Sequence, residues 1–147
     1  MKVLADTCVW SLSLRRRKGS AGLSEKEQRL VAALAESIRD GRVAMVGPVR
    51  QELLSGISDA KQFESLRSVL EAFPDEPLTT DVYVEAARLD NLCRARGVQC
   101  GVVDMLLCAA ALHYGWAILT NDAGMLRCIE TVKAEGKPGG SGTLLLR

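Results

Sequence analysis

"GVVDMLLCAAALHYGWAILTND", residues 101–122, decides how this chain is built. Its first part is an almost unbroken apolar run with Gly115 as a stop, which reads as a buried helix. "WAILT" behind it is short, apolar and bounded by turn residues, so it reads as a buried strand. A helix that leads into a parallel strand starts at the sheet's carboxyl edge and runs back down. Asp104, opening the helix, and Asp122, just past the strand, are therefore predicted on the same rim.

The rest of the chain repeats that alternation. "KVLA" reads as a first strand and "TCVWSLSL" as a short helix, followed by a basic loop, "RRRKGSAG". "LSEKEQRLVAALAESIRDGR" has Ser24 and Glu27 in capping-box spacing and Gly41 as a stop, which makes a helix. "VAMVG" is a second strand, with Pro48 suited to the first turn of the helix "PVRQELLSG". "SDAKQFESLRSVLEAF" is a helix ended by Pro74, "EPLT" a brief third strand, and the stretch from Thr80 to Gly97 another helix. "NDAGMLRCIE" is a short helix, residues 136–142 a flexible loop, and "TLLLR", residues 143–147, a terminal edge strand. The predicted fold class is α/β: one domain over residues 1–147, three-layered α/β/α around a mostly parallel twisted sheet.

Composition narrows the function classes. A length of 147 residues with 48% hydrophobic and 25% charged content fits one globular core. A net charge of +1 gives no global attraction to nucleic acid, so a polyanion must be held by a local patch. Five cysteines without a CxxC pair, and a single histidine, give no zinc pattern; they read as reduced, mostly buried thiols of a cytoplasmic protein. No signal peptide or membrane-spanning run is visible.

The chemistry is carried by acids. Asp6 ends the first strand, and Glu52 lies early in the helix that leaves the second. With Asp104 and Asp122 they make four carboxylates that topology sends to one rim, where such sheets collect ligands. Each has a plain alternative: Asp104 and Asp122 are good helix caps, Asp6 a good turn residue, Glu52 a solvated helix residue. Together, four like charges must protonate, pair with a cation or hold an ion. All-oxygen ligands select Mg²⁺ or Mn²⁺, whose chemistry suits phosphodiester hydrolysis.

"VLADTCVWS", "VRQELLSG", "VVDMLLCAAAL" and "LTND" resemble, in order and across essentially the whole chain, the four acidic motifs of PIN-domain ribonucleases. The likeness is strongest to VapC-type toxins of type II toxin–antitoxin pairs. The resemblance implies a Mg²⁺- or Mn²⁺-dependent endoribonuclease whose activated water is held by four acids, leaving a 5′-phosphate and a 3′-hydroxyl. It carries metal binding most firmly onto Asp6 and Asp104, acidic site roles onto Glu52 and Asp122, and supporting roles onto Thr7, Thr120 and Asn121. It also implies an RNA substrate, a small cognate antitoxin, and a homodimer or larger toxin–antitoxin complex. Many relatives have a further Asp and a Phe after the last motif; "AGM" stands there in this chain, which weakens a second metal position.

Other features have two readings each. Arg15, Arg16, Arg17 and Lys18 could grip RNA phosphates, or form a solvated basic loop. Arg50 could touch phosphate or neutralise the acids. His113 lies most of three turns from Asp104 near a helix end, a structural position; Trp10 and Trp116 read as core. Receiver domains need an adjacent acidic pair at the first strand, and aspartyl phosphatases need an Asp where Cys8 stands, so neither pattern fits. An RNA-processing PIN nuclease without an antitoxin is the alternative, and a non-catalytic PIN-like binding protein a weaker one.

Overall fold

The computed structural model describes residues 1–16 and 22–135. Among them, three strands, β1 (Val3–Ala5), β2 (Val43–Ala44) and β3 (Ala117–Leu119), form one parallel sheet in the order β2-β1-β3. Val3 stands beside Val43 on one side and Ala117 on the other. All three residues of β1 are buried. Successive strand residues point to opposite faces, so the sheet is covered on both. That is the α/β architecture, and it explains why these strands are uninterrupted apolar runs.

Among the described residues, seven helices enclose the sheet: α1 (Thr7–Arg16), α2 (Glu25–Arg39), α3 (Gly47–Leu54), α4 (Ala60–Leu70), α5 (Thr80–Ala95), α6 (Val102–Tyr114) and α7 (Ala123–Ala134). Ser24 and Glu27 complete the capping box of α2. The α6 helix ends at Gly115 with φ 73°, a left-handed position that a side chain would strain, and Trp116 N–H then bonds Ala111 O at 2.9 Å. This turn delivers the chain into β3. Helix α6 is buried from Met105 to Ala111 and packs along α5. Trp10 meets Phe73 edge-on at 5.2 Å and Trp116 stacks on Tyr114 at 4.4 Å; both indoles belong to the core. His113 is exposed and sits edge-on to Tyr114 at 4.7 Å.

Several expectations are corrected. "EPLT" forms no strand; one parallel bridge joins Asp75 to Met45, and Glu76 N–H reaches Met45 O at 2.7 Å. Pro77 has no N–H to extend that ladder. Helix α1 runs to Arg16, so Arg15 and Arg16 belong to its last turn rather than to a loop. Helix α7 continues past Glu130 to Ala134. The cysteines are not all free thiols: Cys100 and Cys128 form a disulfide with their Cα atoms 6.2 Å apart, leaving Cys8, Cys93 and Cys108 free. The loop predicted at 136–142, the strand at 143–147, Arg17, Lys18 and the side chains of Arg15 and Arg16 lie outside the described residues. Among the described residues, no helix is long and apolar enough to cross a membrane.

Candidate active site

Asp6 follows directly on β1, and its backbone carbonyl accepts the N–H groups of Val9 and Trp10 as α1 begins. Its side chain is only 7% exposed. A buried carboxylate needs donors, and this one has a set. Thr7 N–H donates to Oδ1 at 2.7 Å; Thr120 Oγ1 donates to Oδ2 at 2.9 Å, with the Cys8 thiol at 3.6 Å. Asp6 N–H is itself bonded to Leu119 O at 2.9 Å, which ties the turn to the end of β3.

The turn after β3 faces it. Thr120 is buried, and its oxygen accepts Asp122 N–H at 3.1 Å while its hydroxyl points to Asp6. Asn121 N–H donates to the Cys8 sulfur at 3.4 Å. Thus Cys8 bridges the two turns, a role that sequence reading missed because a lone cysteine after an Asp-Thr pair carries no pattern of its own. Asp122 is the N-cap of α7: its Oδ2 accepts Met125 N–H at 2.8 Å. The "AGM" segment is therefore the first turn of α7, with Met125 fully buried.

Glu52 projects from α3 and is exposed; Thr7 Oγ1 donates to its Oε2 at 2.6 Å. Thr7 therefore serves two acids, Asp6 through its amide and Glu52 through its hydroxyl. Asp104 stands in the first turn of α6 behind the N-cap Gly101, not at the cap itself, and is half-buried. Its carboxyl is pushed up to about 6, first by burial and then by the charges of Asp6, Asp122 and Glu52, with the Gly101 N–H pulling the other way. The four acids thus share one electrostatic neighbourhood, contributed by β1, α3, α6 and the turn after β3. Burial also raises the Cys8 thiol, helped by the Asp6 charge, so it remains a neutral donor.

Arg50 does not join the four acids. Its Nε donates to Asp75 Oδ1 at 3.0 Å, and its remaining donors take the carbonyls of Leu70 at 3.1 Å and Phe73. The guanidinium closes the end of α4, and its partners there are Asp75 and two carbonyls rather than the four acids. Among the described residues, none of Asp6, Glu52, Asp104 and Asp122 forms an ion pair. Nor, among those residues, are three or more His, Cys, Asp or Glu side chains arranged to hold a metal ion by themselves. The carboxylates are close enough for the charges of Asp6, Asp122 and Glu52 to act on Asp104.

The PIN domain family profile matches residues 3–129, from the first residue of β1 to within α7. The chain belongs to the PIN domain family. PIN domains are nucleases, which is the class of chemistry that an all-carboxylate site on this rim suits. Two solved structures share the fold. FitAcB from Neisseria gonorrhoeae superposes with a TM-score of 0.66 at 21% identity, covering 86% of this chain and 91% of that one. VapBC2 from Rickettsia felis, bound to a DNA fragment from its promoter, gives 0.65 at 17% identity over 100% and 98%. At these identities the likeness is one of fold. Curated proteins give no match.

Proposed function

We propose that this PIN domain is a divalent-metal-dependent endoribonuclease, the toxin of a toxin–antitoxin pair. One observation carries the nuclease reading: Asp104 is driven toward protonation by burial and three converging carboxylates, without a cation paired to any of the four among the described residues. A site built that way is stabilised by bound positive charge. Asp6 and Asp104 are the residues to hold Mg²⁺ or Mn²⁺, with Asp122 and Glu52 at the margin. When bound, the ion supplies Lewis acidity at the scissile phosphate.

The protein's own contribution is orientation. Thr7 and Thr120 fix Asp6 so that neither oxygen can swing away, and Thr7 holds exposed Glu52 at the mouth of the cleft. Asp122 cannot rotate freely without losing its bond to Met125 N–H. The dipole of α6 points its positive end at Asp104, which eases the carboxylate's ionisation as a metal approaches.

The toxin reading draws support from the fold neighbours, one of which is a VapBC2 complex on promoter DNA. By that analogy the partner is a small antitoxin that covers the acidic cleft, and the toxin works in the cytoplasm as a homodimer or larger complex. Arg15, Arg16, Arg17 and Lys18 are the candidates to hold RNA phosphates. The test is cleavage of single-stranded RNA with Mn²⁺, with and without chelator. Cleavage that stops on chelation, is restored by Mn²⁺ and is lost in Asp6→Asn is the expected result. Chelator-insensitive cleavage, or an active Asp6→Asn protein, overturns it.

A further inference from the structure

The covalent link between Cys100 and Cys128 closes a loop that carries two of the four acids. The bridge spans 28 residues and takes in all of α6, β3 and the turn after it, so Asp104, Thr120, Asn121 and Asp122 all lie inside the closed ring. Cys100 immediately precedes Gly101, the N-cap of α6, and lies four residues before Asp104. Cys128 sits in the second turn of α7, whose N-cap is Asp122. The bond therefore pins together the starts of the two helices that present these two acids. The partners differ in burial: Cys128 is 1% exposed, whereas Cys100 is half-buried and follows directly on Gln99, which with Arg94, Gly97 and Val98 lines a pocket of about 180 Å³. Of the free cysteines, Cys93 and Cys108 are buried.

We propose that Cys100 and Cys128 are a reversible thiol–disulfide exchange site, with a low-molecular-weight thiol as co-reactant, whose closed state holds Asp104 and Asp122 in position for a divalent ion. The second half rests on the acidic cleft being the metal site proposed above. An incoming thiolate attacks the sulfur of Cys100, the less buried of the two residues, forms a mixed disulfide there and breaks the bond to Cys128, whose sulfur leaves with the electron pair and takes up a proton. A second thiolate attacks the small molecule's sulfur, freeing Cys100, which is protonated in turn. The protein disulfide gains two electrons and two protons; two small thiols become one small disulfide. Opening the ring frees the segment before α6 from α7, and the acids at the two helix starts lose their common anchor.

Glutathione buffers of varied ratio give the test, applied to the full chain. Alkylation and mass spectrometry should count three free thiols in the oxidised protein and all five in the reduced one. On reduction, amide exchange at residues 99–104 of the metal-free protein should accelerate. Mn²⁺ affinity and chelator-sensitive RNA cleavage should then each fall about tenfold, the size of effect seen when a metal ligand's supporting partner is lost. The Cys100→Ser, Cys128→Ser double variant should match the reduced protein in every buffer; if it does not fold, the wild-type series alone decides. Five alkylated cysteines in all buffers, or unchanged exchange and affinity with the ring shown to be open, would overturn the proposal. Loss of cleavage in both states with affinity still responding would sink the nuclease reading and leave the switch standing.

Discussion

At the scale of single residues, Asp104 gathers most of the consequences. Its carboxyl is raised to about 6 chiefly by burial, so in the metal-free fold the neutral form persists to about pH 6 and the charge carried above it is costly. A carboxyl whose folded value lies above its unfolded value adds stability at low pH, and that stability fades as pH rises from near 4 through about 6. Asp104→Asn should therefore stabilise the metal-free protein at pH 7, by roughly 1–2 kcal/mol after allowance for solvent screening, and flatten that pH slope. Thermal melts between pH 4 and 8 check it. Mn²⁺ affinity should follow the same titration and weaken below about pH 6, as protons compete for the carboxylate. Sequence alone places Asp104 on the rim, because helix-to-strand order dictates it. What Arg50 does was not legible there. Its partners, Asp75 and two carbonyls at the end of α4, are brought to it only by tertiary packing. Arg50→Ala should leave those carbonyls unpaired and cost about 2 kcal/mol, a fall of roughly 4–8 °C in Tm, with RNA cleavage at low temperature little changed.

At the scale of elements, the sequence reads well wherever a local signal exists. The capping box of α2, the Gly115 stop of α6 and the apolar runs of β1 and β3 are short-range patterns, and each sets its element. "EPLT" misleads because a strand is defined by its neighbour, and there Pro77 prevents the ladder that Asp75 begins. The end of α1 misleads for another reason: a run of arginines looks like a loop, yet arginine is a good helix former, and Arg15 and Arg16 continue the helix. The disulfide has no local trace, since its halves are 28 residues apart and meet only when α7 packs against the start of α6. A ring of that length should be worth about 3–4 kcal/mol through the unfolded chain, so full reduction should lower Tm by roughly 10 °C. Calorimetry with and without reductant measures this directly. A change of only a degree or two would mean that packing alone holds α6 to α7.

At the scale of the whole molecule, the near-neutral balance of +1 hides a strong asymmetry. Negative charge collects at the carboxyl edge of the sheet, where an RNA phosphate would be repelled unless a divalent ion were already present. Binding of RNA to the metal-free protein should be weak at all salt concentrations. With Mn²⁺ it should strengthen, and log affinity should fall with log salt in proportion to the few phosphates engaged. Filter binding across a salt series, with and without Mn²⁺, separates the two regimes; equal affinity in both would place the RNA away from the acids. The parallel sheet makes this concentration of charge possible, because it gathers residues from widely separated parts of the chain on one edge.

Both indole rings lie inside the fold, Trp10 two residues beyond Cys8 and edge-on to Phe73, Trp116 stacked on Tyr114 where α6 turns into β3. The chain thus carries its own pair of optical gauges. Their emission should be blue-shifted in the native state and move to longer wavelength on denaturation. A Trp116→Phe protein would leave one lamp, four positions from Asp6, to report the state of the cleft without any attached dye.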